Sequence, residues 1–210
     1  MSTRQLTTTS YAILGLLAIR PWSTYDLAKQ LRRSLHFYWP RAESNLYAEP
    51  KRLVEAGLAE AHDEWNGDRK RTMYSITESG RAALRDWLAT APASQRLEAE
   101  AYIRIMFGNS GTKDDLLRAI ERIEHDAEAQ VDHFRRLGGE YARGEGLFPE
   151  RIHVNALIAT LGIEQGLATA RWARWAKAEV ERWEETVVPD VDWAVRALNE
   201  AFDSAASDGS

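Results

Sequence analysis

Ser44, Asn45, Tyr47, Lys51 and Arg52 fall within one short segment, and farther along Asn66-Gly67-Asp68 runs directly into Arg69, Lys70 and Arg71. An asparagine can bond adenine through two hydrogen bonds, whereas lysine and arginine neutralise phosphate wherever it lies. A polar helix face followed by a basic turn could therefore read base edges with one element and rest on the backbone with the other. A second constellation, Glu121, His125, Glu128 and Asp132, has the spacing of one helix face and could ligate a metal inside a bundle. The apolar stripe of that helix lies on the opposite face, so these groups are expected to point to water, with no metal and no other cofactor. The chain has no cysteine, hence no thiolate nucleophile, thiolate ligand or disulfide. His36, His62, His133 and His153 are scattered and form no triad with the serines, so no catalytic residues and no enzymatic activity are expected.

The elements that must hold the polar segment are short helices. Tyr11, Leu14, Leu17 and Ala18 repeat at helical spacing from a start near Thr7 to Thr9, and Arg20-Pro21 stops that helix. Ser23 has the character of an N-cap, with Asp26 three residues on and Leu27, Leu31 and Leu35 as the inward stripe. Glu43 to Ala56 is read as a third helix with Leu46, Leu53 and Val54 inward and Gly57 as its C-terminal cap. Pro50 interrupts it. Either that helix effectively begins near Asn45 to Leu46, with Pro50 just past its first turn, or its outer surface is bent. Leu58 to Trp65 and Thr72 to Ile76 read as strands joined through Asn66-Gly67, and Thr77 caps a helix through Leu84, Trp87 and Leu88. Ala91-Pro92-Ala93-Ser94 then reads as a linker.

Beyond the linker the spacing is that of long helices. Leu116, Ile120, Ile123, Ala127, Val131, Phe134, Leu137 and Tyr141 alternate steps of three and four after a Thr112/Asp115 capping pair, up to Gly144-Glu145-Gly146. Pro149 suits the first turn of the next helix, with Val154, Leu157, Leu161, Ala168, Trp172, Trp175 and Trp183 on one side. Val188-Pro189-Asp190 introduces a last short helix through Leu198 and Phe202. Two such stripes are more than one protomer should cover, so Leu116, Ile120, Ile123, Leu161, Ala168 and Trp183 are expected at an interface with a second copy. Gly162 and Gly166 would admit a neighbouring helix at close range, and the indoles of Trp172 and Trp175 offer a stacking surface to a small aromatic ligand.

Charge divides along the same line. Up to Thr90 there are thirteen Lys/Arg against ten Asp/Glu, a balance of +3, whereas the remainder has fourteen against twenty-two, a balance of −8. The apolar run Leu14 to Ile19 is too short to span a bilayer and has no small-residue cleavage site, so no membrane association and a cytoplasmic location are expected.

Four motifs in order resemble the PadR-type bacterial transcriptional regulators: Tyr11-Ala12-Ile13-Leu14-Gly15-Leu16-Leu17; Thr24-Tyr25-Asp26-Leu27; Leu46-Tyr47 through Lys51-Arg52-Leu53 to Gly57-Leu58; and Arg69-Lys70-Arg71 with Tyr74-Ser75-Ile76-Thr77-Glu78-Ser79-Gly80. The C-terminal half, through Gly166 to Trp175 and its helix lengths, is similar to the longer extension of one branch of that family. The resemblance implies homodimeric winged-helix repressors that small aromatic compounds often release from DNA. The chain is accordingly read as mainly α, with a winged helix-turn-helix DNA-binding domain over 1–91 and a helical dimerisation and effector domain over 95–203. Its expected partners are double-stranded DNA carrying an inverted repeat, a second copy of itself and a small aromatic ligand. The alternative is a helical protein-interaction module whose winged helix makes no direct DNA readout. A salt-dependent shift with promoter DNA separates the two.

Overall fold

The computed structural model describes residues 6–39, 47–66, 69–187 and 191–207. The chain divides into two compact units, Met1–Gln95 and Arg96–Ser210.

In the first unit, helix α1 (Thr8–Ile19) begins on a reciprocal cap: the Thr7 hydroxyl accepts from the Ser10 amide at 3.2 Å and the Thr7 amide donates to the Ser10 hydroxyl at 2.9 Å. Ile13, Leu14 and Leu17 are buried. Strand β1 (Trp22–Ser23) follows, then α2 (Thr24–Leu35), whose N-cap Ser23 bonds both the amide and the carboxylate of Asp26. Helix α3 (Glu49–Glu55) ends at Ala56 and Gly57. The Gly57 amide donates to Val54 O and the Leu58 amide to Leu53 O, each at 2.9 Å, and the φ of 70° this closure needs is free of side-chain strain only in glycine.

Strands β2 (Ala59–Asn66) and β3 (Arg69–Ile76) form an antiparallel hairpin, and β1 adds to the other side of β3 to give the order β1-β3-β2. Two sequence expectations change here. Asn66 is a strand residue paired with Arg69, not half of the turn, so the residues between the strands are Gly67 and Asp68, which lie outside the described residues. Strand β1 was not expected, because two residues are too few for any periodicity. It is fixed by pairing of Trp22 with Tyr74 and Ser23 with Met73 and by the Trp22 indole N–H donating to Leu16 O at 2.8 Å.

Helix α4 (Glu78–Leu88) starts at Thr77, whose hydroxyl accepts from the Gly80 amide and donates to Gly57 O. Trp87 stacks on Tyr11 with ring centres 4.7 Å apart, which ties α4 to α1. At Gly80 the backbone of Leu58 leaves no room, since a Cβ would stand 2.1 Å from Leu58 O. Gly80→Ala should therefore cost about 1–3 kcal/mol through overpacking, read as a lower urea midpoint with unchanged slope. An unchanged midpoint would show that the α3–β2 junction yields without cost.

Residues 91–99 carry neither helix nor strand. The second unit then opens with α5 (Glu100–Met106), which sequence reading did not separate, and continues with α6 (Lys113–Ala142) and α7 (Ile152–Glu181). Pro149 opens a short 3-10 turn, Pro149–Arg151, ahead of α7 and not α7 itself. The last helix, α8 (Asp192–Ser207), is longer than expected.

Helices α6 and α7 lie antiparallel. Lys113 at the start of α6 donates to the carbonyls of Glu181 and Trp183, each at 2.7 Å, while farther along Gln130 donates to Gly162 O. The side of α7 that faces α6 is built from small residues, Ala159, Gly162, Gly166, Ala170, Ala173 and Ala176, ending in Val180. A Cβ on Gly166 would meet Val131 at 2.6 Å, so the two helices approach as closely there as the glycine permits. This corrects the expected interface. Leu116, Ile120 and Ile123 are buried by α7 of the same chain, together with Ala173, Ala176 and Val180. One protomer does cover that stripe, because small residues on α7 let the larger ones of α6 sink between them. Leu161 and Ala168 stay exposed, and Trp183 is half-buried.

Candidate nucleic-acid interface

The described part of the polar segment is a turn at Tyr47 and Ala48 leading into α3. Pro50 sits in the first turn of that helix, where an amide has no intrahelical acceptor to lose and the ring needs no kink. This differs from both sequence readings: α3 begins at Glu49, later than either assumed. Ser44 and Asn45 lie outside the described residues. Tyr47 is 62% exposed and Lys51 is exposed, on the side of α3 away from the buried Leu53.

Arg52 is differently placed. Its Nη1 donates to Glu49 Oε2 at 2.6 Å, and Glu49, only 2% exposed, accepts on its other oxygen from the Ser10 hydroxyl at 2.5 Å. The chain from Thr7 through Ser10 and Glu49 to Arg52 thus ties the first turn of α1 to the first turn of α3. Sequence reading missed Glu49 because a charged residue at a helix start is normally exposed and complements the helix dipole. The available signal was its place one residue before a proline at N1/N2. Removing the carboxylate by Glu49→Ala leaves the buried Ser10 hydroxyl and the Arg52 guanidinium without their acceptor. A loss of about 1–3 kcal/mol should appear in chemical denaturation. Glu49→Gln, which retains an acceptor, should lose less, and equal losses would refute the assignment.

The hairpin pairs its charges across the strands. Lys70 bonds Asp63 at 2.8 Å, Arg71 bonds Glu64 at 3.4 Å, and Glu64 also meets His62 at 3.0 Å. The hydrogen bond from Lys70, then that from Thr72, holds the Asp63 carboxyl below the usual carboxylate range. Lys70 and Arg71 are thus strand residues of β3 paired with acids of β2, and of Arg69, also in β3, only the backbone is described. Trp65, exposed near the same end, was not singled out from sequence.

A three-helix core with a locked α3 followed by a charged hairpin is the geometry of a winged helix-turn-helix. Residues 13–86 match the transcriptional regulator PadR-like family, and residues 99–181 match the family described as virulence activator alpha C-term. Over residues 13–86 the chain is similar to the PadR-like family.

The chain is 31% identical over 99 residues to the negative transcriptional regulator PadR of Bacillus subtilis, a match over 46% of the chain and 54% of that protein, so the aligned stretch spans about half the length of this relative. Its fold is similar to that of B. subtilis PadR in complex with operator DNA, with a TM-score of 0.70 and 22% identity over 83% of this chain and 99% of the other. It is likewise similar to B. subtilis PadR in complex with p-coumaric acid, with a TM-score of 0.64 and 22% identity over 84% and 100%. The family matched over residues 13–86 is one of transcriptional regulators. No helix among the described residues is long and apolar enough to cross a membrane.

In the C-terminal unit, two residues of the metal reading are engaged otherwise. Glu121 bonds Lys177 at 2.7 Å and Glu128 bonds Arg174 at 3.2 Å, ion pairs that link α6 to α7. Trp172 and Trp175, singled out from sequence as a stacking surface, border one cavity of about 270 Å³ together with Trp183 and Trp193. Trp193, on α8, was not foreseen as part of that group. It meets Trp183 with ring centres 5.3 Å apart.

Proposed function

We propose that the chain is a sequence-specific, DNA-binding transcriptional regulator that acts as a homodimer on an inverted-repeat operator. Residues 1–91 form its DNA-binding domain. The observation that carries this reading is α3, closed at one end by Gly57 and held at the other by Glu49, followed directly by a basic-edged hairpin. Ser44, Asn45, Tyr47 and Lys51 would approach base edges and phosphates in the major groove, and Arg69, Lys70 and Arg71 would rest on the backbone. Arg52 contributes to DNA only to the extent that phosphate competes with Glu49.

Residues 95–203 would join two such readers about 34 Å apart, the spacing of successive major grooves on one side of the duplex. Repression is the favoured direction, from the name of the B. subtilis relative, and the relative's complex with p-coumaric acid supports release by a small aromatic effector bound near Trp172 and Trp175. Nuclease protection of the intergenic DNA upstream of the gene tests the proposal. Protection of an inverted repeat is the expected result; retarded mobility without any sequence preference would count against a specific regulator.

A further inference from the structure

From the lining of the indole-walled cavity we infer that the C-terminal unit holds a binding site for an aromatic cation, a flat ring system bearing an ammonium group, and not for an aromatic acid. The cavity is formed within a single chain by the end of α5, the start of α6, the end of α7 and Trp193 of α8. At about 270 Å³ the cavity is just under the usual ligand-pocket range of about 300–1,000 Å³, which suits a small fused-ring system. Four indoles, with Ile105 and Leu116, supply the apolar wall.

Charge decides the class. Among the described residues lining the cavity, Glu179 is the sole ionisable side chain, and no lysine, arginine or histidine borders it. Glu179 does bond Arg182 at 2.8 Å, but Arg182 is largely exposed and lies outside the cavity, where water screens its charge. The ammonium of Lys113 is also close to this end of α7, yet it is spent on the carbonyls of Glu181 and Trp183. An adjoining groove beyond Trp175 and Trp183 is lined by Glu179, Glu184, Glu185 and Glu200 against Arg182 and Arg196, four carboxylates to two guanidiniums. A ring seated among the indoles would thus place a cationic substituent against Glu179, with more negative charge beyond. Indole faces attract a cation further. A carboxylate in the same position would meet a carboxylate.

The rim is built, not incidental. Lys113 clamps the end of α7, and the Thr186 hydroxyl donates to Gly111 O at 3.1 Å, so the chain that carries Trp183 is fixed to the start of α6 from two sides.

The inference deepens the effector reading, and binding can be tested apart from DNA. Calorimetric titration of the full-length protein with 2-naphthylmethylammonium, 2-naphthylmethanol and 2-naphthoate varies charge on one ring system. The cation should bind about tenfold more tightly than the acid, with the alcohol between them. Glu179→Gln should remove that preference, and Arg182→Gln, which leaves Glu179 unpaired, should increase it. Opposite responses of two neighbouring substitutions cannot come from a general loss of folding. Trp175→Ala should weaken all three ligands. Equal or tighter binding of 2-naphthoate overturns the inference. So does absence of binding by all three while Trp175→Ala dissociates the dimer, which would make the indoles an intersubunit surface. If the cation binds with the expected preference yet leaves operator affinity unchanged, the site stands and the effector reading falls.

Discussion

Affinity for the operator should fall by roughly 10³ to 10⁵ between about 50 and 200 mM salt, the loss expected for six to ten phosphate contacts across a dimer. On the proposed reading Lys51, Arg69, Lys70 and Arg71 of each protomer would supply the cations. The hairpin adds a condition that composition alone would not give, because Lys70 and Arg71 already face Asp63 and Glu64. Exposed pairs of this kind contribute little, so phosphate can displace the carboxylates, but their charge remains beside the DNA. Asp63→Asn should therefore tighten binding to every sequence and steepen the salt dependence, whereas Arg69→Ala should weaken binding to every sequence and flatten it. Asn45→Ala should instead cost about 1–3 kcal/mol, concentrated at one base position. Fluorescence anisotropy with operator and scrambled duplexes across a salt series separates these outcomes. If Asn45→Ala and Arg69→Ala act alike on both duplexes, base readout and backbone contact have been assigned to the wrong elements.

What could be read from the chain without its structure was what local chemistry decides. Ser23, Thr77 and Thr112 cap their helices as expected, and Thr7 caps within the expected start of α1, since an N-cap hydroxyl acts on an amide only three residues away. Gly57 was legible for the same reason. The misses are non-local. Strand β1 exists because β3 offers an unpaired edge to Trp22 and Ser23, and nothing within those two residues announces that. Glu49 reads as a surface acid until α1 brings Ser10 against it. On α7 the stripe of large residues drew attention, yet the small ones face α6, because a pair of long helices packs closest where side chains are least bulky, and only Gly162 and Gly166 signalled that approach. Periodicity locates a stripe but not its partner. That is why Leu116, Ile120 and Ile123 were assigned to a second copy when their own chain covers them.

The same finding narrows where a second copy can attach. With the α6 stripe internal, the apolar side chains left uncovered in the C-terminal unit include Leu157, 72% exposed, with Val154 and Leu161 along the outer side of α7 and Val195, Leu198 and Phe202 on α8. Exposed apolar residues in such number on two helices are more than a monomer normally leaves to water. A chain ending at Ala91 lacks all of them. It should sediment as a monomer, keep its fold, and bind a single half-site much as each half of the intact protein does. On the full operator it should bind about 10²- to 10⁴-fold more weakly, since the second half-site then loses the effective concentration that a joined partner supplies, although every contact to DNA is retained. Comparing half-site and full-site duplexes distinguishes this from damage to the reader, which would weaken both equally. A stable dimer of the shortened chain would place self-association in the winged helix and remove the C-terminal helices from the control of half-site spacing.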